Sequence, residues 1–372
     1  MSTAAGTPPK LTIRDLRKTY GPVVALEGAS LELREGEFLT LLGPSGSGKT
    51  TMLMIIAGLT QPDSGEVWID RRLATYTPSH RRDIGMVFQN YALFPHLTVY
   101  ENIAFPLRMR KVSEATIEKE VRRVLDLIQL PDVGPRLPRA LSGGQQQRIA
   151  LARCIVYRPS IVLMDEPLGA LDKKLRDQMK LEIKHLHTEL GITVLYVTHD
   201  QEEAMIMSDR VCLMNDARIE QLGTPDELYF RPRTVFAADF LGESNILAAT
   251  VVGVEGAWAT LRADAADGVT VRAPAEPGLA AGERVRFMVR PENVALLGPG
   301  ESADNETAAA LEEAILVGGV TKHYARLPDG TTLSATSLTG GPLGAVERGA
   351  AVRLGWTRER TVILRENGPA HR

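Results

Sequence analysis

The chain has 372 residues, of which 44% are hydrophobic and 24% are charged, and its formal net charge is −3. A charge this close to neutral gives no bulk electrostatic reason to expect a nucleic-acid partner. The two cysteines, Cys154 and Cys212, do not make a disulfide framework and fit a reducing cytoplasm.

The length predicts two or three domains, at roughly 100–200 residues each. The first ten residues lack the basic-then-apolar pattern of a signal peptide. The longest apolar stretch, Met52–Leu59, is far shorter than the ~18 residues that a membrane span needs. If the protein works at a membrane, other subunits are therefore expected to supply the spans.

The first two-thirds of the chain alternates short apolar runs with helical patterns. The predicted buried strands are Phe38–Leu42, Ile84–Phe88, Ile161–Met164 and Thr193–Thr198. Helical patterns follow three of them, at Lys49–Leu59, Lys173–Leu190 and Gln201–Asp209. The strands are continuously apolar, so both of their faces are expected to be covered, as in a parallel sheet. This order predicts an α/β layer architecture.

The pattern of strand and helix signals in the sequence changes after about Gly242. Short segments separated by Gly, Pro and Asp predict a β-rich domain over 243–372, following a first domain over 1–242. The segments are Val269–Ala273, Arg284–Arg290, Thr332–Ser334 and Ala351–Trp356. The only helical pattern in this part is a short turn at Ala308–Glu313.

A glycine-rich loop lies between the first buried strand and the helix that follows it. It has the spacing Gly43-x-x-x-x-Gly48-Lys49-Thr50, the P-loop pattern. Glycines allow positive φ and a close approach of backbone N–H groups to phosphate oxygens. Lys49 is expected to reach the β- and γ-phosphates and the Thr50 hydroxyl to ligate Mg²⁺. The alternative, a turn without a ligand, is disfavoured by this strand-to-helix context.

Two carboxylates and a histidine follow two other predicted strands. Asp165 and Glu166 end the strand from Ile161, and Asp165 suits a hold on Mg²⁺ while Glu166 suits a general base for the attacking water. His199 follows the strand that ends at Thr198. Alone, these residues would be read as a solvated strand end and a structural histidine. Carboxyl ends of parallel strands meet at one crevice, which favours catalytic roles.

A second glycine pair, in Leu141-Ser142-Gly143-Gly144-Gln145, precedes the helical pattern Gln146–Val156. Ser142 is a good helix cap, and the glycines expose N–H groups at the helix start, which makes a second potential anion site. An ordinary capped helix is the alternative. A chain with one P-loop has no evident use for a second phosphate cradle, unless that cradle serves a neighbouring copy.

Together these motifs resemble the ABC transporter ATPase family over roughly residues 10–240. The matches are Walker A (Gly43–Thr50), Walker B (Ile161–Glu166), the signature motif (Leu141–Gln145), the Q-loop (Gln89), the switch histidine (His199) and the D-loop (Leu171-Asp172). Tyr20 resembles the aromatic residue that stacks on adenine. The resemblance implies a RecA-like core with a helical subdomain at about 90–158.

The resemblance also implies the site residues. Catalytic roles fall to Glu166, His199 and Gln89, and Mg²⁺ contacts to Thr50, Gln89 and Asp165. The implied ATP-binding residues are Tyr20, Gly43, Pro44, Ser45, Gly46, Ser47, Gly48, Lys49, Thr50, Thr51, Ser142, Gly143, Gly144, Gln145 and Asp172.

Partners follow from the same resemblance. It implies a head-to-tail homodimer with two ATP molecules between the P-loop of one copy and Ser142–Gly144 of the other. Two transmembrane permease subunits, and indirectly a solute-binding protein, place the chain peripherally at the cytoplasmic face of the cell membrane. The apolar segment Tyr91–Tyr100 is either a core-facing loop or the groove that receives the permease.

The end of the chain resembles the TOBE, or OB-like, regulatory domain of importer ATPases, through Val289-Arg-Pro-Glu292. Phe88–His96 and Phe240–Leu247 lean toward importers of the spermidine/putrescine type. Importers of iron(III), sugar, phosphonate or thiamine share close variants. A non-transport ABC ATPase of DNA repair or translation is disfavoured, because the chain has one P-loop and no inserted coiled coil. A regulator without turnover and a simple P-loop kinase fit less well, because the chain keeps Glu166, His199 and Ser142–Gln145.

Overall fold

The computed structural model describes residues 8–169, 171–265, 268–340 and 348–365. The chain divides into two compact units, of which the first ends at Pro225 and the second begins at Asp226. This division lies earlier in the chain than the predicted boundary after residue 242, which stays a prediction. Within the described residues, no helix is both long and apolar enough to cross a membrane.

A six-stranded sheet forms the centre of the first unit, in the order β10-β9-β3-β8-β7-β6. Its five strands β9, β3, β8, β7 and β6 pair in parallel, and β10 pairs antiparallel with β9. The strands are β3 (Phe38–Leu42), β6 (Ile84–Val87), β7 (Ile161–Asp165), β8 (Val194–Thr198), β9 (Arg210–Asn215) and β10 (Arg218–Gly223). The four buried strands that the sequence predicted are all present, with ends shifted by at most one residue.

Both faces of this sheet are covered, as the continuous apolar runs indicated. In β7, Ile161 and Leu163 belong to one apolar core while Val162 and Met164 belong to the other. The helices that follow the strands are α1 (Lys49–Ala57), α5 (Lys173–Leu190) and α6 (Gln201–Met207). The prediction for α5 is confirmed at both ends, whereas α1 and α6 each end two residues earlier than predicted.

A second, antiparallel sheet in the first unit has the order β2-β1-β4-β5 and was not predicted. It comprises β1 (Pro9–Tyr20), β2 (Val23–Arg34), β4 (Ser64–Ile69) and β5 (Arg72–Leu73). Toward its end β2 alternates buried and exposed residues, with Ala29, Leu31 and Leu33 buried. These side chains share a core with α1 and one face of the parallel sheet. The antiparallel sheet therefore covers α1.

Helix α5 packs on the other face of the parallel sheet, through Met179 and Ile183, together with α2 (Val99–Met109), α3 (Glu114–Leu127) and α4 (Gly143–Ile155). Thr98 and Glu101 form a capping box that begins α2, and Ser113 caps α3. The helix predicted at Gln146–Val156 is α4, and it begins earlier, at the first glycine of the signature motif.

Two short helices come first after the division, α7 (Pro225–Phe230), whose first residue is the last of the first unit, and α8 (Val235–Phe240), and the second unit continues in β-strands. Two five-stranded sheets have the orders β13-β12-β11-β14-β20 and β15-β19-β16-β17-β18. Their strands are β11 (Asn245–Glu255), β12 (Trp258–Ala263), β13 (Thr270–Pro274), β14 (Arg284–Val289), β15 (Ala295–Leu297), β16 (Asn305–Val317), β17 (Val320–Arg326), β18 (Thr332–Leu338), β19 (Ala351–Trp356) and β20 (Val362–Leu364). The predicted β-rich character is confirmed.

The helical turn predicted at Ala308–Glu313 is wrong, because these residues lie inside β16. Alanine and glutamate favour helix by intrinsic propensity. Here Ala309 and Leu311 alternate with exposed neighbours, and β16 pairs antiparallel with both β17 and β19. Pairing on two sides and burial of one face outweigh the local preference.

Candidate functional site

The motif residues of the first unit lie at the carboxyl ends of neighbouring strands. In the sheet order, β3, β8, β7 and β6 are adjacent and parallel. The glycine loop follows β3, His199 follows β8, Asp165 and Glu166 end β7, and Gln89 lies two residues beyond β6. Strand ends of this kind form the ligand crevice of α/β sheets.

Gly48 ends the glycine loop in a backbone conformation that requires glycine. Its φ is +99°, and a Cβ there would lie 2.3 Å from the carbonyl oxygen of Ala25. Ala25 and its neighbour Leu26 belong to β2, so the antiparallel sheet presses on the loop at this point. Gly46, at the tip, has a φ of +81° and open space where a Cβ would be. The loop is thus closed on its protein side and open at its tip.

Lys49, the first residue of α1, is buried and held by the loop. Its Nζ donates hydrogen bonds to the carbonyl oxygens of Gly43 at 2.9 Å and Pro44 at 2.8 Å, and to Ser47 Oγ at 3.3 Å. Burial lowers the pKa of Lys49, and the nearby carboxylates of Glu166 and Asp165 oppose that shift. The ammonium group is thus a buried cation that faces two acids.

The Thr50 hydroxyl and Asp165 come together between α1 and β7. Thr50 Oγ1 lies 3.5 Å from Asp165 Oδ1. Burial, and then the nearby Glu166, raises the pKa of Asp165. Where the chain is described, no group of three or more His, Cys, Asp or Glu could hold a metal. One hydroxyl and one carboxylate do fit Mg²⁺ beside phosphates, because Mg²⁺ in such sites takes few protein ligands and keeps water and phosphate oxygens.

Glu166 and His199 are in direct contact. His199 Nδ1 lies 3.1 Å from Glu166 Oε1. Glu166 has a φ of +42°, a left-handed conformation that costs a non-glycine residue on the order of 1–3 kcal/mol. Its N–H donates to the carbonyl oxygen of Val197 in β8 at 3.0 Å, which fixes the turn. The side chain of His199 is 60% exposed, so the pair faces solvent where a substrate would enter.

The signature motif is a self-capped helix start. Ser142 Oγ accepts from the N–H of Gln145 at 3.3 Å, and Gln145 Oε1 accepts from the N–H of Ser142 at 3.0 Å. A Cβ on Gly143 would lie 3.4 Å from Leu171, and one on Gly144 would lie 3.0 Å from Leu175. The loop therefore packs closely on the start of α5.

Three other predicted site residues take these places. Asp172 caps α5, with Oδ1 accepting from the N–H of Leu175 at 3.0 Å. Gln89 is exposed after β6, and its Nε2 lies 3.6 Å from the position of a Cβ on Gly169. Tyr20 is half exposed at the end of β1, with Lys18 Nζ 5.4 Å from its ring centroid. β1 pairs with β2, the strand that touches the loop at Gly48.

Comparisons with known proteins agree with this geometry. The family described as ABC transporter matches residues 26–169, and the TOBE domain matches residues 287–364. The spermidine/putrescine import ATP-binding protein PotA of Rubrobacter xylanophilus is 46% identical, over 96% of this chain and 94% of its own. The chain belongs to the ABC transporter family. It is an ATPase, with an ABC-type P-loop fold followed by a TOBE domain.

Other relatives and solved structures support the same assignment. The PotA protein of Pseudomonas aeruginosa is 42% identical, over 94% of this ABC ATPase and 97% of its own chain. A dimeric ATP-binding cassette in a post-hydrolysis state, bound to ADP and Pi, is 36% identical with a TM-score of 0.52 and covers 58% of this chain and 98% of that one. The cbiO1 subunit of the cbiONQ transporter from Clostridium perfringens is 29% identical with a TM-score of 0.55, and the match covers 59% of this chain and 90% of that one.

The structure of this ABC ATPase adds residues around His199 that the sequence did not indicate. Buried Glu203 of α6 accepts hydrogen bonds from Tyr196 at 2.8 Å and from Thr198 at 2.7 Å. The N–H of Asp200 donates to Thr198 Oγ1 at 3.0 Å. Burial raises the pKa of Glu203. Thr198 and Asp200, the residues on either side of His199, are thus held in place by hydrogen bonds that no sequence motif predicts.

Proposed function

We propose that this ABC ATPase works as a head-to-tail homodimer that hydrolyses ATP to drive import of spermidine and putrescine through a separate permease. The observation that carries the catalytic part is the convergence of Lys49, Thr50, Asp165, Glu166 and His199 at adjacent strand ends. The solute class rests on the names of relatives that are 39–47% identical over most of the chain.

Phosphate binding falls to the glycine loop. The open tip at Gly46 leaves room for phosphate oxygens beside the loop amides, and α1 directs its positive end toward them. Lys49 now donates to loop carbonyls. On binding, it turns part of that donation toward the β- and γ-phosphates. Its buried charge would then be balanced by the nucleotide, in addition to Glu166 and Asp165.

Hydrolysis falls to Glu166 and His199. The carboxylate of Glu166 accepts a proton from the attacking water as its oxygen bonds to the γ-phosphorus and the bond to the ADP oxygen breaks. His199, in contact with Glu166, holds that carboxylate in place and donates toward the γ-phosphate. Gln89 approaches from the end of β6 as a residue that orients water. The pair acts as one unit because both residues are anchored on β7 and β8.

Thr50 and Asp165 would hold Mg²⁺, with Gln89 as a third contact. The ion supplies neutralisation of the charge on the β- and γ-phosphates. Asp165 is suited to this role, because it is partly buried beside the carboxylate of Glu166, and both effects raise its pKa. A cation beside Asp165 would stabilise the ionised form.

The other half of each site comes from a second copy. Ser142 and Gly143 are exposed at a helix start whose cap needs no ligand, whereas Gly144 is buried, and Asp172 lies on the segment that packs against this helix start. Presented to the ATP held by the P-loop of a partner copy, this surface closes the site. Tyr20, half exposed on the strand that pairs with β2, stacks on adenine.

The permease is proposed to dock on the segment after Gln89, which places the protein peripherally at the cytoplasmic face of the membrane. Tyr91 is buried, so part of this segment faces the core, which agrees with the first alternative, a core-facing loop. Phe94 packs on Phe105 of α2 with ring centroids 4.8 Å apart, while Phe105 and Met109 remain exposed. This apolar edge supports the second alternative, a groove for a permease segment.

The test is uptake of labelled spermidine by cells whose own copy of the gene is deleted. The parent chain should restore uptake, Glu166→Gln should not, and the exposed Glu118→Gln on α3 should behave as the parent. Uptake restored by Glu166→Gln would refute the catalytic assignment. Full ATPase activity of the parent with no uptake of spermidine or putrescine would refute the solute assignment alone.

A further inference from the structure

Arg176, in the first turn of α5, connects two loops of the ATPase unit. Its Nη2 donates to the carbonyl oxygen of Leu171 at 3.0 Å, and its Nη1 lies 3.5 Å from Asp200 Oδ2. Its Nε is buried and has no hydrogen-bond partner among the residues that the structure describes. Burying an Nε–H group without a partner costs free energy. The contacts of Nη1 and Nη2 with Asp200 and Leu171 offset that cost and hold the side chain in this position.

The Asp200 end of the bridge reaches the catalytic histidine. Asp200 follows His199 directly and caps α6, with Oδ1 accepting from the N–H groups of Glu202 and Glu203. Its own N–H is bonded to Thr198. A movement of Asp200 therefore moves the backbone that carries His199, and with it the contact of His199 with Glu166.

The Leu171 end reaches the face proposed to meet the second copy. Leu171 lies against Gly143, and Leu175, one turn further, lies against Gly144. Between them Asp172 caps α5. A displacement of the signature loop or of Asp172 by a neighbouring ATP is thus transmitted to the carbonyl group that Arg176 binds.

We infer that Arg176 is a positioning residue that couples occupancy of the signature face to the placement of His199 in the same chain, so that each copy senses the partner's ATP before hydrolysing its own. This inference rests on the proposed dimeric function. Within one chain, the connection runs from Gly143 through Leu171, Arg176 and Asp200 to His199. Arginine suits the position because its planar fork can hold two acceptors at once, whereas lysine carries one point charge.

Lys184 offers a matched control on the same helix. Its Nζ also joins a backbone carbonyl and a carboxylate, Met207 at 2.8 Å and Asp209 at 3.2 Å. These contacts tie α5 to the far end of α6, away from His199. Lys184→Gln therefore removes similar support of the helix without touching the bridge.

The experiment measures steady-state ATP hydrolysis and its ATP dependence in Arg176→Gln, Arg176→Lys, Asp200→Asn, Lys184→Gln and the parent. Arg176→Gln should lower kcat about tenfold with KM within about twofold, since a small misplacement of catalytic groups costs rate rather than ground-state binding. The Hill coefficient for ATP should fall toward about one. Arg176→Lys should be intermediate, and Lys184→Gln should match the parent.

The double variant decides whether the two contacts act as one bridge. Asparagine at position 200 keeps the helix cap, so Asp200→Asn removes mainly the ion pair. If Arg176 acts through Asp200, then Arg176→Gln with Asp200→Asn should be no slower than Arg176→Gln alone. Multiplicative losses in the double variant would overturn the coupling. So would an unchanged Hill coefficient in Arg176→Gln, or an equal loss of kcat in Lys184→Gln.

Glu166→Gln, assayed beside them, separates this inference from the function on which it rests. If Glu166→Gln is inactive while Arg176→Gln keeps the parent rate, only the role of Arg176 is refuted. If Glu166→Gln also hydrolyses ATP at the parent rate, the proposed site is refuted and the role of Arg176 with it. Circular dichroism melting of each variant shows whether a loss of rate reflects unfolding, which should not differ between Arg176→Gln and Lys184→Gln.

Discussion

The two glycine-rich loops of the ATPase unit begin helices α1 and α4 in different ways. Before α1, Gly48 has a φ of +99° and there is no side-chain cap. Before α4, Ser142 forms a closed capping box with Gln145, and the glycines of the motif lie within the helix. The first loop therefore leaves its helix amides to a ligand, and the second satisfies part of its helix start from its own side chains.

The glycines consequently have different tasks. In the P-loop they allow a strained backbone and an open tip, as Gly46 shows. In the signature loop, buried Gly144 allows close packing on Leu175, and exposed Gly143 leaves a smooth outer surface. Glycines at a helix start thus indicate that another group approaches the backbone closely. An uncapped start, as in α1, indicates that a ligand binds the free amides, whereas a self-capped start, as in α4, indicates that another surface packs there.

The largest effect should come from Lys49→Ala. The substitution removes the buried ammonium that holds Gly43 and Pro44 and that faces the phosphates. We expect nucleotide affinity to fall at least about 100-fold, or about 3 kcal/mol. Titration with a fluorescent ATP analogue measures it, with the exposed Lys119→Ala on α3 as the control. Unchanged affinity would refute the assignment of this loop as the phosphate site.

Gly48→Ala should destabilise the folded chain by about 2 kcal/mol, because a Cβ would collide with Ala25 and occupy a left-handed backbone. Gly46→Ala has the same backbone strain but open space, so we expect a smaller loss of stability, of about 1 kcal/mol, together with weaker ATP binding. Urea unfolding monitored by circular dichroism compares the two. Equal loss of stability in both would contradict the described packing of β2 on the loop.

Gly143→Ala should have the opposite profile. Its backbone is helical and the nearest atom to a Cβ, in Leu171, is at ordinary contact distance, so stability should stay the same or rise by up to about 1 kcal/mol. Turnover should fall about tenfold, because the methyl group would stand between two copies. ATPase assays and urea unfolding on the same sample test this. If Gly143→Ala lost stability and kept full turnover, the proposed difference between the two glycine loops would be wrong.

The smallest effect should come from Ser142→Ala, which removes the cap of α4. Loss of a serine cap costs about 1 kcal/mol. Because the cap is internal to the chain, the cost should appear in urea unfolding of the chain without nucleotide. Ser142→Asp keeps a capping oxygen and should restore that stability. If alanine at this position leaves stability unchanged, the capping box does not support the helix.

Much of the ATPase core could be predicted from local pattern. The continuous apolar runs gave β3, β7 and β8 because strands covered on both faces need apolar residues throughout. The antiparallel sheet was not predicted, because β1 is irregular and the register of its pairing with β2 shifts near Leu16 and Lys18. The strand over Ala308–Glu313 escaped because its residues favour helix locally and only pairing with β17 and β19 makes them a strand.

The candidate site was predicted through its motifs, and the structure brings Lys49, Asp165, Glu166 and His199 together. The roles of these residues remain proposals. What the sequence could not supply were long-range contacts, such as the bridge of Arg176 to Asp200 and the hydrogen bonds to Glu203. These depend on how α5 and α6 pack, which no local pattern encodes.

The central claim, that one chain holds two unlike halves of two ATP sites, is tested most directly by the mass of Glu166→Gln in solution. Light scattering after size-exclusion chromatography should give the 40.6 kDa of one chain without nucleotide and about twice that with ATP and Mg²⁺. Adding Gly143→Arg to Glu166→Gln should return the ATP-loaded sample to the mass of one chain. A mass of one chain with saturating ATP, or a dimer that Gly143→Arg leaves intact, would contradict the shared site.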